Sequence, residues 1–124
     1  MTTLDAYAHF LTARWDEMEA DAVGVSDGPW YYTADGIVHA SQPAGRYVAE
    51  SVPSWNGPHI ARHNRAYVLA DLAAKRAVLA EAVAYMPELE HGDNGEWAVG
   101  MVVRHLAAPF RDHPDHPEAG HAQA

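Results

Sequence analysis

The architecture hangs on His59–Met86, HIARHNRAYVLADLAAKRAVLAEAVAYM. From Arg65 to Met86 there is neither glycine nor proline, and alanine and leucine, the best helix formers, dominate. Asn64 suits the N-cap of this helix, because its side-chain oxygen can accept from the orphan amides of the first turn. Pro87 stops it. At about 100° per residue, Val68, Leu69, Leu72, Leu79, Val83 and Met86 fall into one sector. Ala66, Ala70, Ala73, Ala77 and Ala84 form a smooth neighbouring strip. Only Arg65, Asp71, Lys75, Arg76 and Glu81 are charged, so the helix is expected to be covered on more than one side and to act as the scaffold. Arg76 falls within the apolar sector, where a guanidinium wants a bidentate carboxylate. Its role is expected to be structural, with Glu17 or Asp21 as partner. The HIARH segment before the cap reads as extended, with His59, Ala61 and His63 on one side and Ile60 and Arg62 on the other.

Towards the N-terminus, residues 3–22 read as an amphipathic helix. Leu4, Tyr7, Ala8, Leu11, Trp15, Met18 and Ala22 share one face, and Asp5, His9, Asp16 and Glu19 lie opposite. Thr2 or Thr3 can cap it, and Asp5 sits favourably in its first turn. Asp27, Gly28 and Pro29 break the pattern. In WYYTADGIVHAS, residues 30–41, Asp35-Gly36 between two β-rich runs predicts a hairpin with a two-residue type I′ turn. That turn sets Tyr32 opposite His39 and Thr33 opposite Val38. Residues 46–52 are expected to add a third strand, and Ser54–Pro58 a further turn.

Beyond Pro87 comes a polar loop, then a last helix from about Glu96 to Ala108, with Val99, Val102, Val103 and Leu106 on one stripe. Gly100 weakens this helix by about 1 kcal/mol relative to alanine. Pro109 ends it. The remainder, RDHPDHPEAGHAQA, has little to bury. The expected organisation is therefore a single α+β domain over 1–112, with a flexible C-terminal tail over 113–124. Its parts are an N-terminal amphipathic helix, a small antiparallel β-meander, a long central helix and a short C-terminal helix.

Composition narrows the function. The absence of cysteine rules out disulfides, thiolate zinc sites and thiol nucleophiles. A formal charge of −9 with eight basic residues argues against general nucleic-acid binding, which needs clustered Lys and Arg on the phosphates. It equally disfavours anionic membranes. No apolar run approaches the ~20 residues that span a bilayer, and MTTLDAYAHFL lacks the basic start and long apolar core of a signal peptide. The expected location is the cytoplasm. There is no Gly-rich phosphate loop, no nucleophile elbow and no HExxH pattern, so the expectation is a protein without catalytic activity.

Two chemical readings stand. In the first, the aromatic run Trp30–Tyr31–Tyr32 alternates across a strand, and helices can cover only one face of a small sheet. One aromatic set is then left as an interface anchor for a protein partner or a second copy of the chain. In the second, His59 and His63, completed by His91 and a carboxylate such as Glu90 or Asp93, ligate zinc. Spacing i,i+4 would place the two histidines on one helical face, whereas in a strand they stand about 13 Å apart, too far for one metal. No cofactor is expected on the first reading and zinc on the second. Asp112, His113, Asp115 and His116 could also form an acid–base cluster, but Pro114 and Pro117 favour an extended, solvated segment.

The order of HIARHN, helix, polar loop, short helix and APFRDHPDH resembles a family of small uncharacterised proteins of actinobacteria and their phages. Its members share a His-Ile-Ala-Arg-His segment before a helix and a Leu-Ala-x-Pro-aromatic-x-Asp-His-Pro-Asp ending. Here these read His59–Asn64 and Leu106–Asp115, and the likeness extends over essentially the whole chain. Members usually carry Asp-Pro after the second histidine, where this chain has Asn64-Arg65. Many also carry cysteines before the last helix, where this chain has Glu90, His91, Asp93 and Glu96. The family carries no established activity, so the resemblance implies a setting and not a mechanism. The expected function is that of a non-enzymatic accessory protein, phage-encoded, that acts by binding a host protein, with inhibition as one outcome of binding.

Overall fold

Helix, antiparallel sheet, long helix, short helix: the computed structural model has the α+β order that the sequence implies. It describes residues 2–42, 47–85 and 94–119. In chain order the elements are α1 (Thr3–Val23), β1 (Asp27–Thr33), β2 (Ile37–Gln42), β3 (Tyr47–Ala49), α2 (Gly57–Arg62), α3 (Arg65–Tyr85) and α4 (Asn94–Ala107), then a 3-10 turn, Ala108–Phe110. The backbone falls into two compact units, Met1–Asp16 with Ala74–Ala124, and Glu17–Ala73. Both boundaries lie inside helices, α1 and α3.

In the unit Glu17–Ala73 the sheet is a meander of order β1-β2-β3, antiparallel throughout. Its hairpin is one residue longer than expected. Thr33 pairs with Ile37, leaving Ala34, Asp35 and Gly36 as a three-residue loop closed by Gly36 N–H to the Thr33 carbonyl at 3.1 Å. Gly36 takes a left-handed φ of 84°, the geometry of a type I turn followed by a G1 bulge rather than type I′. Its carbonyl then accepts the Val52 N–H at 2.8 Å. The register changes with it: Tyr31 faces His39 and Tyr32 faces Val38. Trp30, Tyr32, Val38 and Ala40 thus share the inner face, where Val38 and Ala40 are buried. Tyr31 and His39 share the outer one.

HIARH is not extended. Asn56 begins a helical turn, Pro58 occupies the first turn where its missing N–H costs nothing, and α2 runs on to Arg62 with His63 as C-cap. Gly57 is buried beneath the ring of Tyr32, so closely that a Cβ there would overlap the ring. Asn64 then caps α3 as expected, Oδ1 accepting the Tyr67 N–H at 3.0 Å, while its Nδ2 donates to the Ala61 carbonyl at 3.3 Å.

The expectation that α3 is covered on more than one side is corrected. Leu72, Leu79 and Ala82 are buried and Val68 and Leu69 half-buried, but Val83 is exposed. So is the whole alanine strip, Ala66, Ala70, Ala73, Ala77 and Ala84. Met86 lies outside the described residues. Helix propensity placed these alanines, not packing.

In the other unit Leu4, Tyr7, Phe10, Leu11, Arg14 and Trp15 are buried, as are Leu79, Ala82, Val103 and Ala107. Thr2 and Asp5 form a reciprocal cap at the start of α1. The Thr2 hydroxyl accepts the Asp5 N–H at 3.0 Å and the Asp5 carboxylate accepts the Thr2 N–H at 2.9 Å. The Thr2 N–H and the Thr2 hydroxyl, both donating to the Asp5 carboxylate, hold that carboxyl below its ordinary range. Phe10 and Arg14, one turn apart, lie outside the predicted apolar face. The C-terminal segment covers them.

Residues 113–119, expected as a solvated tail, instead form consecutive tight turns. His113 N–H bonds to the Phe110 carbonyl (2.9 Å), His116 to His113 (3.0 Å) and Ala119 to His116 (2.8 Å). Pro114 and Pro117 each take the second position of such a turn, where proline's fixed φ is an advantage. His113 packs edge-on to Phe10 at 5.6 Å, and His116 to Phe10 at 5.3 Å and Tyr7 at 5.7 Å. Residues 120–124 lie outside the described residues.

Candidate functional site

The one-residue change of hairpin register builds a feature that crosses all three strands. Tyr31 stacks on His39 with ring centroids 4.8 Å apart and planes 12° from parallel, and His39 meets Tyr47 edge-on at 5.2 Å. Tyr31 and Tyr47 are 51% and 50% exposed, so the strip presents two tyrosine faces to solvent around a half-buried imidazole. Thr33 fixes the imidazole: its hydroxyl oxygen lies 2.9 Å from His39 Nε2 and also contacts the Asp35 carboxylate. A hydroxyl has one proton and the carboxylate needs it, so Nε2–H donates to Thr33 and Nδ1 is left as the acceptor. Asp27 and Asp35, at the two ends of the hairpin, are exposed.

The two other aromatics of the predicted run point inward. Trp30 donates its indole N–H to the Ser26 carbonyl at 3.0 Å, and the Tyr32 hydroxyl reaches the Val52 carbonyl at 3.2 Å. Trp30 also lines a cleft of about 250 Å3 with Met18, Asp21, Ala22, His63 and Arg65. Of the three candidate anchors, Tyr31 alone faces solvent. Sequence reading missed its neighbours. A two-residue Asp-Gly turn sets His39 opposite Tyr32, whereas the three-residue loop sets it opposite Tyr31. Tyr47 carried only the alternation of a short third strand. Trp55, 79% exposed in the turn before α2, carries no sequence signal beyond its place in a turn.

The helical course of α2 brings His59 and His63 together. Their ring centroids are 4.3 Å apart and tilted by 41°, and Tyr67 lies edge-on to His63 at 5.4 Å. His91, Glu90 and Asp93, the other ligands of the zinc reading, lie outside the described residues. Among the described residues no group of three or more His, Asp or Glu converges as a metal site. Arg76 pairs with Asp16 at 2.9 Å, a carboxylate one residue before the expected Glu17. The two side chains are 32% and 63% exposed, which makes the pair a surface contact rather than a buried one.

Arg14, which sequence reading did not single out, is the one charged side chain buried among the described residues. Its Nη1 lies against the ring of His113, 2.9 Å from Nδ1, and 4.0 Å from the Asp115 carboxylate. Nearby, burial and a hydrogen bond to Glu118 push the Tyr7 phenol up to about 12. The same bond, with that from Arg104 (3.2 Å), holds the Glu118 carboxyl below its ordinary value. These groups fasten the C-terminal turns to α1.

The chain is thus a small α+β protein whose most distinctive surface is an aromatic strip on the open face of a three-stranded sheet. It belongs to the family of unknown function DUF6221, whose model matches residues 4–119. No curated protein and no solved structure matches it. No helix of the described residues is long and apolar enough to cross a membrane.

Proposed function

We propose that the chain is a non-enzymatic accessory protein of the actinobacterial and phage setting that its motifs resemble. On this reading it works in the cytoplasm by binding another protein, and as a phage product it occupies and inhibits a host protein. The observation that carries this reading is the strip Tyr31–His39–Tyr47, exposed at both tyrosines and held rigid by stacking and by Thr33. Aromatic side chains that are already ordered lose little entropy on binding and dominate interface energetics. Exposed carboxylates at Asp27 and Asp35 suit a partner with an apolar pocket and a basic rim.

Tyr31→Ala is the test. The variant should keep the wild-type melting temperature, since half of the side chain is in solvent, and should lose about 2 kcal/mol of partner binding, roughly thirtyfold in Kd. Affinity capture from host lysate, with sedimentation to detect self-association, reads both. Tyr32→Ala serves as the contrast, because its ring seats Gly57 and its loss should lower stability instead. Unchanged capture and unchanged sedimentation by Tyr31→Ala and Tyr47→Ala would remove the strip as the interface.

A further inference from the structure

We propose that His59 and His63 form an exposed two-imidazole site for a divalent transition ion of borderline softness, copper(II), nickel or zinc. The pair is independent of the aromatic strip. Its basis is geometric. Two imidazoles on one ion, each bonded at about 2.1 Å, hold their ring centroids roughly 5 Å apart, and these two stand at 4.3 Å with a 41° tilt. Closing on one ion calls for a rotation of the His59 ring towards Nε2 of His63.

The hydrogen bond that His63 makes leaves Nε2 as the ring nitrogen available to an ion. Nδ1 of the same ring lies 2.7 Å from the His59 carbonyl oxygen. A carbonyl can only accept, so Nδ1 carries a proton, and in the neutral imidazole Nε2 holds the lone pair. A backbone carbonyl on one ring nitrogen is the partner that metal-ligating histidines commonly use to fix tautomer and orientation. The Tyr67 edge restrains the same ring. Both histidines are exposed, which leaves the remaining coordination positions open to water and gives an exchangeable ion. Imidazole donors select against calcium and magnesium, which take oxygen ligands. With nitrogen donors alone, affinity should rise from zinc or nickel to copper.

The experiment uses the full chain without a histidine tag, stripped with chelator and then titrated with the chloride of each metal. Calorimetry should show one equivalent bound, and the imidazole resonances of His59 and His63 should be the first to shift or broaden in NMR spectra. His59→Ala should weaken copper and nickel binding at least tenfold with little change in melting temperature. His63→Ala should do the same, and Ala61→His combined with His63→Ala, which keeps the histidine count but moves the second imidazole to i,i+2 on the other side of the helix, should not restore it. His9→Ala should bind as the wild type does. The proposal is overturned if the His59 and His63 variants bind as tightly as wild type, if the spacing-shifted variant binds normally, or if their resonances are unmoved at millimolar metal.

Discussion

Asn64 serves two helices at once. Its Oδ1 satisfies a first-turn amide of α3, and its Nδ2 reaches the Ala61 carbonyl at the end of α2. The two roles can be separated. Asn64→Ala removes both and should cost about 1 kcal/mol, the usual worth of an N-cap. Asn64→Asp keeps the acceptor, adds a charge that the helix N-terminus favours, and loses only the donor to Ala61. Urea denaturation should therefore rank wild type and Asn64→Asp close together, with Asn64→Ala clearly below. An Asn64→Asp variant as unstable as Asn64→Ala would mean that the α2 contact, not the α3 cap, dominates. The cap was legible in the sequence because capping is local, involving one side chain and amides within three residues. The Arg76–Asp16 pair was not. Periodicity puts Arg76 in the apolar sector of α3, but no spacing rule tells which of several carboxylates on successive residues of another helix it meets.

At the scale of elements, what could be read was whatever repeats. The 3.6-residue pattern of α1 and α3 and the β-rich runs around Asp35-Gly36 gave helix, hairpin and helix. What failed depended on one residue or on a distant cover. Asn56-Gly57-Pro58 was read as a turn, whereas glycine fits beneath the Tyr32 ring and proline starts α2. The hairpin loop gained a residue, and with it every side chain of β2 changed partner. Phe10 and Arg14 looked peripheral on α1 because the segment that buries them is nearly a hundred positions away in the chain. The central helix offers the sharpest quantitative test. Leu72 and Leu79 are 2% and 7% exposed, so Leu72→Ala and Leu79→Ala should each cost roughly 2–5 kcal/mol. Ala77 is exposed, and Ala77→Ser should change stability by no more than about 0.5 kcal/mol. Two leucine variants that melt with the wild type would refute the assignment of this face to the core.

Across the whole molecule, seventeen acidic residues against eight basic ones make net charge the dominant response to pH. Protonating carboxylates in general relieves self-repulsion as the solution is acidified. Glu118 works in the opposite direction. Its carboxyl accepts from Tyr7 and Arg104, and its pKa is lowered from the ordinary 4.5. In the window between its folded pKa and 4.5 the unfolded chain binds the extra proton. The bonds to Glu118 therefore contribute fully above about 4.5 and are lost as pH falls through the folded value. Tyr7 mirrors this at the alkaline end: raised from 10.0 to about 12, it contributes fully below 10 and loses that contribution as pH climbs towards 12. To separate Glu118 from the general charge effect, wild type and Glu118→Gln should be compared in parallel denaturant melts, since relief of repulsion is nearly common to both. The wild type should be the more stable at pH 6–7, the gap should narrow below about 4.5, and it should vanish in stronger acid. A gap that stays constant down to pH 3, or no gap at neutral pH, would show that the contact among Glu118, Tyr7 and Arg104 does not hold the C-terminal turns in place. The turns would then rest on the packing of His113 and His116 against Phe10 and Tyr7 and on the contacts of Arg14 with His113 and Asp115.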